Sequence, residues 1–221
     1  MNHQGMALIA GLVLLAALSL LALVATSGMI LQRHMAANYY ENDLALENAA
    51  IASFFATSWL YSRPNYQREA GCITGCLLPA GIHNAGQIPT QAEFQSAGWW
   101  LLNGIAAGMD PDTAETVSTG TETGANPPLW IMEELYFDAT VITGDETNSD
   151  GVAYYRILSR GTGTHAAKVA VTESIVARPW GGDYQLGTFP AGAQSSVFCL
   201  QFAGLAEENL DCGRLAWRQR R

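Results

Sequence analysis

No charged side chain stands between Met1 and Arg33, no proline occurs before Pro64, and the only glycines from Met6 to Arg63 are Gly11 and Gly28. Each absence excludes something. Without charge, Gly5–Leu31 is not the surface helix of a water-soluble domain, whose outer face needs polar residues. Without proline, nothing breaks a helix before Pro64. The apolar run is also not preceded by Lys or Arg, so it lacks the basic flank of a secretory signal, and it is too long for the apolar core of one. Met6–Leu31 is 26 residues. As a helix it measures about 39 Å at about 1.5 Å per residue, against about 30 Å for a bilayer core. Its only polar side chains from Ala7 on, Ser19, Thr26 and Ser27, carry hydroxyls that can bond back to a carbonyl one turn earlier.

Cationic residues are scarce as well: 11 Lys and Arg against 20 Asp and Glu give a net charge of −9, all of it within residues 33–221. Nucleic-acid affinity comes mainly from cations meeting phosphates, so this composition argues against a nucleic-acid partner. The one basic cluster, Arg214, Arg218, Arg220 and Arg221, reads as a frayed, solvated tail. The histidines, His3, His34, His83 and His165, have no partner spacing, and no catalytic constellation is evident. Gly161-Thr162-Gly163 lacks the helix and Lys of a phosphate loop and reads as a hairpin turn. Asp145, Asn148 and Asp150 have oxygen ligands but miss the EF-hand spacing, so an Asx-rich turn is expected there. Glu133, Glu134, Asp138 and Glu173 read as structural charges. The expectation is no enzyme, no cofactor and no metal.

Only four cysteines are present: Cys72, Cys76, Cys199 and Cys212. An even count in an exported domain suggests two disulfides, with three pairings open. The two sequence-close pairs are the simplest solution. Zinc needs two C-x-x-C-like knuckles, and spacings of three and twelve intervening residues do not supply them.

Past Gln32 the polarity changes, but the helical pattern continues. Leu44, Glu47, Ile51, Phe55 and Trp59 recur at three and four, with Ala49, Ala52 and Ala56 beside them, which predicts one long helix from Met6 to about Tyr61. Ser27-Gly28 is a candidate bend. Residues 62–90 read as an irregular connection. Thr90-x-x-Glu93 is a capping box that opens a second helix to about Ala106, with Phe94, Ala97, Trp100 and Leu101 on one face. Residues 108–128 have loop composition. Strands are expected over 130–143, with Leu135, Phe137 and Ala139 alternating against polar neighbours, over 152–160 and over 167–177, with a fourth at 197–202. Short turns between them make neighbours antiparallel.

The segment Gly5–Phe54, with its Gly-small-Ala-Leu start, Leu-rich span, Arg-His-Met-Ala-Ala-Asn at 33–38 and Ala-Leu-Glu-Asn-Ala-Ala at 45–50, resembles the N-terminal segment of PilX-type minor pilins. Residues 155–163 and Ala177-Arg178-Pro179 are similar to that family's C-terminal strands, so the resemblance covers roughly a third of the chain. It implies an α+β pilin-like fold: a leader (1–5), a transmembrane or filament-core half of the long helix (6–31) and a periplasmic head (32–221). The head comprises an amphipathic helix (32–61), a loop and second helix (62–107), an antiparallel sheet (129–178) and a C-terminal loop region (180–221).

The resemblance further implies processing by a prepilin peptidase at Gly5-Met6, with methylation of Met6. A Cys199–Cys212 loop fits the C-terminal disulfide loops of many pilins. The implied function is priming of type IV pilus assembly within a tip complex, with other minor pilins, the major pilin and a large tip adhesin as partners. The implied location is the inner membrane and then the extracellular pilus. Two departures stand out. No basic residue precedes Gly5, and Ala10 occupies the position that carries Glu in major pilins. The alternatives are a K-like pseudopilin of a type II secretion system and a membrane-anchored exported binding protein or enzyme.

Overall fold

In the computed structural model, the described residues are 4–69, 72–116, 124–139, 151–181, 186–187, 189, 196–200 and 211–220, with the backbone alone at 4–8 and 10. Helix α1 is uninterrupted from Gln4 to Ser62. It passes straight through Ser27-Gly28, where the Ser27 hydroxyl donates to the Val24 carbonyl at 2.9 Å. It ends where Pro64 forbids the α conformation to Arg63. The chain forms two compact units, divided between Glu41 and Asn42.

Within the second unit the final turns of α1 lie on a sheet of strands β1 (Ile82–His83), β2 (Ile105–Ala106), β3 (Leu129–Asp138), β4 (Gly151–Thr162), β5 (Val169–Trp180) and β6 (Gly213–Arg220). The order is β1-β3-β4-β5-β6, with β2 also pairing β3. The sheet is mixed rather than wholly antiparallel, because β1 runs parallel to β3. The two short strands share one edge of β3: β2 opposes Leu129 and Trp130, β1 opposes Met132 and Glu133.

Four other expectations change. The second helix, α2, spans only Ala97–Asn103 and is capped by Ser96, whose hydroxyl accepts from the Trp99 amide. Thr90-x-x-Glu93 runs into a 3-10 turn at Ala92–Phe94, whose N-cap is Gln91, and Phe94, Ala97 and Leu101 are exposed while Trp100 is buried. The register of β3 shifts between Glu134 and Tyr136, a bulge that leaves Leu135 exposed and breaks the simple alternation. Of residues 197–202, expected as a strand, 197–200 belong to a helical stretch at 196–200, and 201–202 lie outside the described residues. The fourth long strand is instead the arginine-bearing segment read as a solvated tail, which pairs with β5 from Val171 to Ala177.

Both faces of the sheet are covered. One face carries α1: Ala52, Phe55, Ala56, Trp59, Leu60 and Tyr61 bury against Trp130, Met132, Tyr155, Ile157 and Val176. On the other, Ile88, Ala92 and Trp100 meet Leu129, Ile131, Leu158 and Val171. Of the expected stripe of α1, Leu44, Phe55 and Trp59 are buried together with Ala49, Ala52 and Ala56, whereas Glu47 is exposed and Ile51 half-buried, and Ala45 and Asn48 are buried in addition.

Small residues let α1 approach closely at its first buried turns. Ala45 and Ala49 pack on Ala170. A Cβ at Gly161 would collide with the Ala45 carbonyl and the Ala49 amide. The Asn48 side-chain amide donates to the Thr162 carbonyl at 2.7 Å.

Gly161→Ala is expected to lower the unfolding free energy by about 1–3 kcal/mol, the usual cost of overpacking. Gly28→Ala, where no atom lies within 4 Å of the new methyl, is expected to be neutral or slightly stabilising. Denaturant midpoints of the two variants in detergent check the contrast.

Candidate functional site

The first unit offers one surface, the outside of α1. Ile9, Leu12, Val13, Leu14, Leu15 and the large apolar residues on to Leu31 are exposed around the whole circumference. The hydroxyls are satisfied internally: Ser19 donates to Leu15 at 2.8 Å and Thr26 to Ala22 at 3.0 Å. With those hydroxyls bonded, the described side chains of the span present an apolar surface with its hydroxyl donors paired, which is what a hydrocarbon environment requires. Among the described residues this is one helix long and apolar enough, by length and composition, to cross a membrane. Gly5, Met6 and Ala10 lie on it, and their side chains are outside the described residues.

The second unit holds its irregular segments by covalent and ionic ties. Cys72 is bonded to Cys76 and Cys199 to Cys212, the two sequence-close pairs. Arg68 secures the first of these loops. Its guanidinium makes a two-pronged pair with Glu134, Nε to Oε2 at 2.9 Å and Nη2 to Oε1 at 2.6 Å. It also donates to the carbonyls of Glu69 and Cys72 and lies 3.6 Å above the Phe137 ring. Both partners are buried, so removing either one strands an uncompensated charge.

Glu134 Oε2 also accepts from the Tyr155 hydroxyl at 2.9 Å, and that hydroxyl accepts from Trp180 Nε1 at 2.8 Å. Burial first, and the Glu134 carboxylate second, push the Tyr155 phenol well above its ordinary value.

The second loop is tied through Tyr61, which donates to the Ala177 carbonyl and accepts from the Gly213 amide, next to Cys212. Arg63 pairs with Asp110 and Asp112, and its guanidinium sits 5.1 Å from the Trp59 ring centroid. Glu133 pairs with Arg156 at 2.6 Å. Glu173 receives Arg218 and Arg220, and Arg220 also reaches Glu93. Sequence reading marked Glu133, Glu134 and Glu173 as structural and left Arg63, Arg68 and Arg156 unassigned. A lone arginine in a loop carries no periodic signal of its partner.

No group of three His, Cys, Asp or Glu among the described residues could hold a metal. The Asp145, Asn148 and Asp150 turn lies outside the described residues. What is built here is a sheet unit with tied-down loops and an apolar helix.

The ionisation of Tyr155 gives a test of the network. Unfolded, the phenol ionises near its ordinary 10.0; folded, it stays protonated well above that. Its contribution to stability is therefore complete below pH 10 and declines as pH rises from there towards the folded value. Denaturant midpoints between pH 8 and 11.5 are expected to fall above about pH 10, and less steeply in Tyr155→Phe, from a lower starting stability. Compared with known proteins, the chain matches no protein-family model, no curated protein and no solved structure.

Proposed function

We propose that this chain is a minor pilin that primes assembly of a type IV pilus, at the tip and in company with other minor pilins. The observation that supports this most is α1 itself. One unbroken helix carries an all-round apolar surface over its first part and a stripe buried on a disulfide-pinned sheet over its last. Such an element serves as a bilayer anchor before assembly and as a filament-core rod after it. In assembly, burial in lipid is exchanged for burial against neighbouring apolar helices. Disulfides agree with an exported, oxidising location for the head.

The chemistry is then association rather than turnover. Cleavage between Gly5 and Met6 would free an amine at the head of the rod, and glycine there admits the peptidase to the backbone. An ammonium inside an apolar bundle needs a partner, because an unpaired buried charge is costly. A carboxylate at position 10 is the group that would supply one to the subunit above, and Ala10 has none. A subunit with no neighbour above it loses nothing by this, which favours the tip.

Intact-mass analysis of membrane-extracted protein is expected to show loss of residues 1–5 and a methylated Met6, and Gly5→Val is expected to block both. Retention of residues 1–5 would point to a membrane-anchored exported protein without a filament role. Immunogold label on purified filaments is expected at the ends for the wild type, with label appearing along the shafts for Ala10→Glu. Even shaft labelling of the wild type would remove the tip position.

A further inference from the structure

The bulge in β3 creates a second surface, unrelated to α1. Beyond it, Tyr136 pairs across to Tyr154 on β4. The next row, Phe137 and Ala153, belongs to the core under α1, so the two tyrosines point to the opposite face. The cover on that face, built from Ile88, Ala92 and Trp100, meets Leu129, Ile131, Leu158 and Val171 and does not include them. Tyr136 is accordingly 56% exposed and Leu135 40% exposed. The two rings pack together, centroids 6.0 Å apart and 31° from parallel, tilted rather than edge to face, with Tyr136 the more exposed and Tyr154 half-buried.

Negative charge borders this surface. The Tyr154 hydroxyl donates to Asp211 Oδ2 at 3.0 Å. Asp138, paired in register with Val152 two residues from Tyr154, adds a second carboxylate field at the phenol. A phenol donating to a carboxylate is polarised towards phenolate, which enriches the ring face in electrons. It nevertheless stays protonated: desolvation, then the hydrogen bond and charge of Asp211, push Tyr154 up to about 12. Arg156, on the same face two residues along β4, is already paired with Glu133 at 2.6 Å. An electron-rich aromatic face edged by carboxylates, in a chain of net charge −9, repels anions and attracts a cation that is itself partly apolar. We infer that Tyr136 and Tyr154, with Asp211 and Asp138 at their edge, form a binding platform for an organic ammonium group. Its methyl or methylene groups would rest on the rings, and its charge would be shared between the π faces and the carboxylates.

The test uses the full chain in a non-ionic detergent, titrated calorimetrically and by NMR of the tyrosine ring signals. Choline is the probe, lysine methyl ester tests whether a primary ammonium suffices, and 3,3-dimethylbutanol is the uncharged isostere of choline. Choline is expected to bind with millimolar affinity that weakens as salt rises, to shift ring signals of Tyr136 and Tyr154, and to bind about tenfold more tightly than the neutral isostere. Tyr136→Ala and Asp211→Asn are each expected to remove most of the binding, and Tyr136→Phe to retain it, with unfolding midpoints near that of the wild type. Tighter binding of choline than of the lysine ester would assign a quaternary ammonium source, and the reverse a lysine side chain. Equal binding of the neutral isostere, or no shift of either ring with any cation, would overturn the proposal.

Discussion

The close contact between α1 and the sheet is the constraint on which the second unit depends. At one end of the contact the small residues Ala45, Ala49, Ala170 and Gly161 bring helix backbone close to strand backbone. Towards the other end it is filled by Trp59 against Trp130, with ring centroids 5.5 Å apart, and by Leu60 and Tyr61. Close-packed interiors tolerate neither voids nor extra methyl groups, so small residues at one end and large ones at the other fix how the helix lies. Asn48 and Ser53 are buried by that approach, and each finds a partner: the Thr162 carbonyl for the first, the Ser174 hydroxyl for the second.

Charge is used sparingly and in pairs. In a chain with only 14% charged residues, the buried Arg68 and Glu134 meet each other, and Glu133 meets Arg156. Such pairs add little net stability, because desolvation offsets much of the attraction. Their effect here is positional. Arg68 holds the Cys72–Cys76 loop to β3, Arg63 holds the segment at Asp110 and Asp112 to the end of α1, and Arg220 joins Glu93 to Glu173. Segments too rich in glycine and proline to form regular structure are thereby fixed to the sheet. A unit fixed in this way can present a defined surface to neighbours, which the proposed role in a filament requires.

The first part of α1 obeys a different physics. Its hydroxyls bond to its own backbone, and its apolar side chains face outward on every side. No water-facing stripe exists for it to turn towards solvent, so its stability is tied to an apolar surrounding, whether lipid or other helices.

Much of this was legible from the residues alone. An uncharged run followed by an amphipathic one, with no proline before Pro64, determined a single long helix, because helices respond to local chemistry. The alternation of Val171 and Glu173 with Thr172 and Ser174 likewise marked a strand. What it could not give is which set faces α1. Tertiary structure places the hydroxyl-bearing Ser174 against Ser53 and sends Val171 to the second core, because an alanine-faced helix needs small partners beneath it. The C-terminal strand was hidden for the same reason. Gly213–Arg220 reads as a basic tail until Glu173 and Glu93 are brought beside Arg218 and Arg220, and the 3-10 turn carrying Glu93 is more than a hundred residues away in the chain. Periodicity, capping and charge are properties of neighbours in sequence. The pairing of Arg68 with Glu134, and of Tyr136 with Tyr154, belongs to neighbours in space, which only the folded sheet decides.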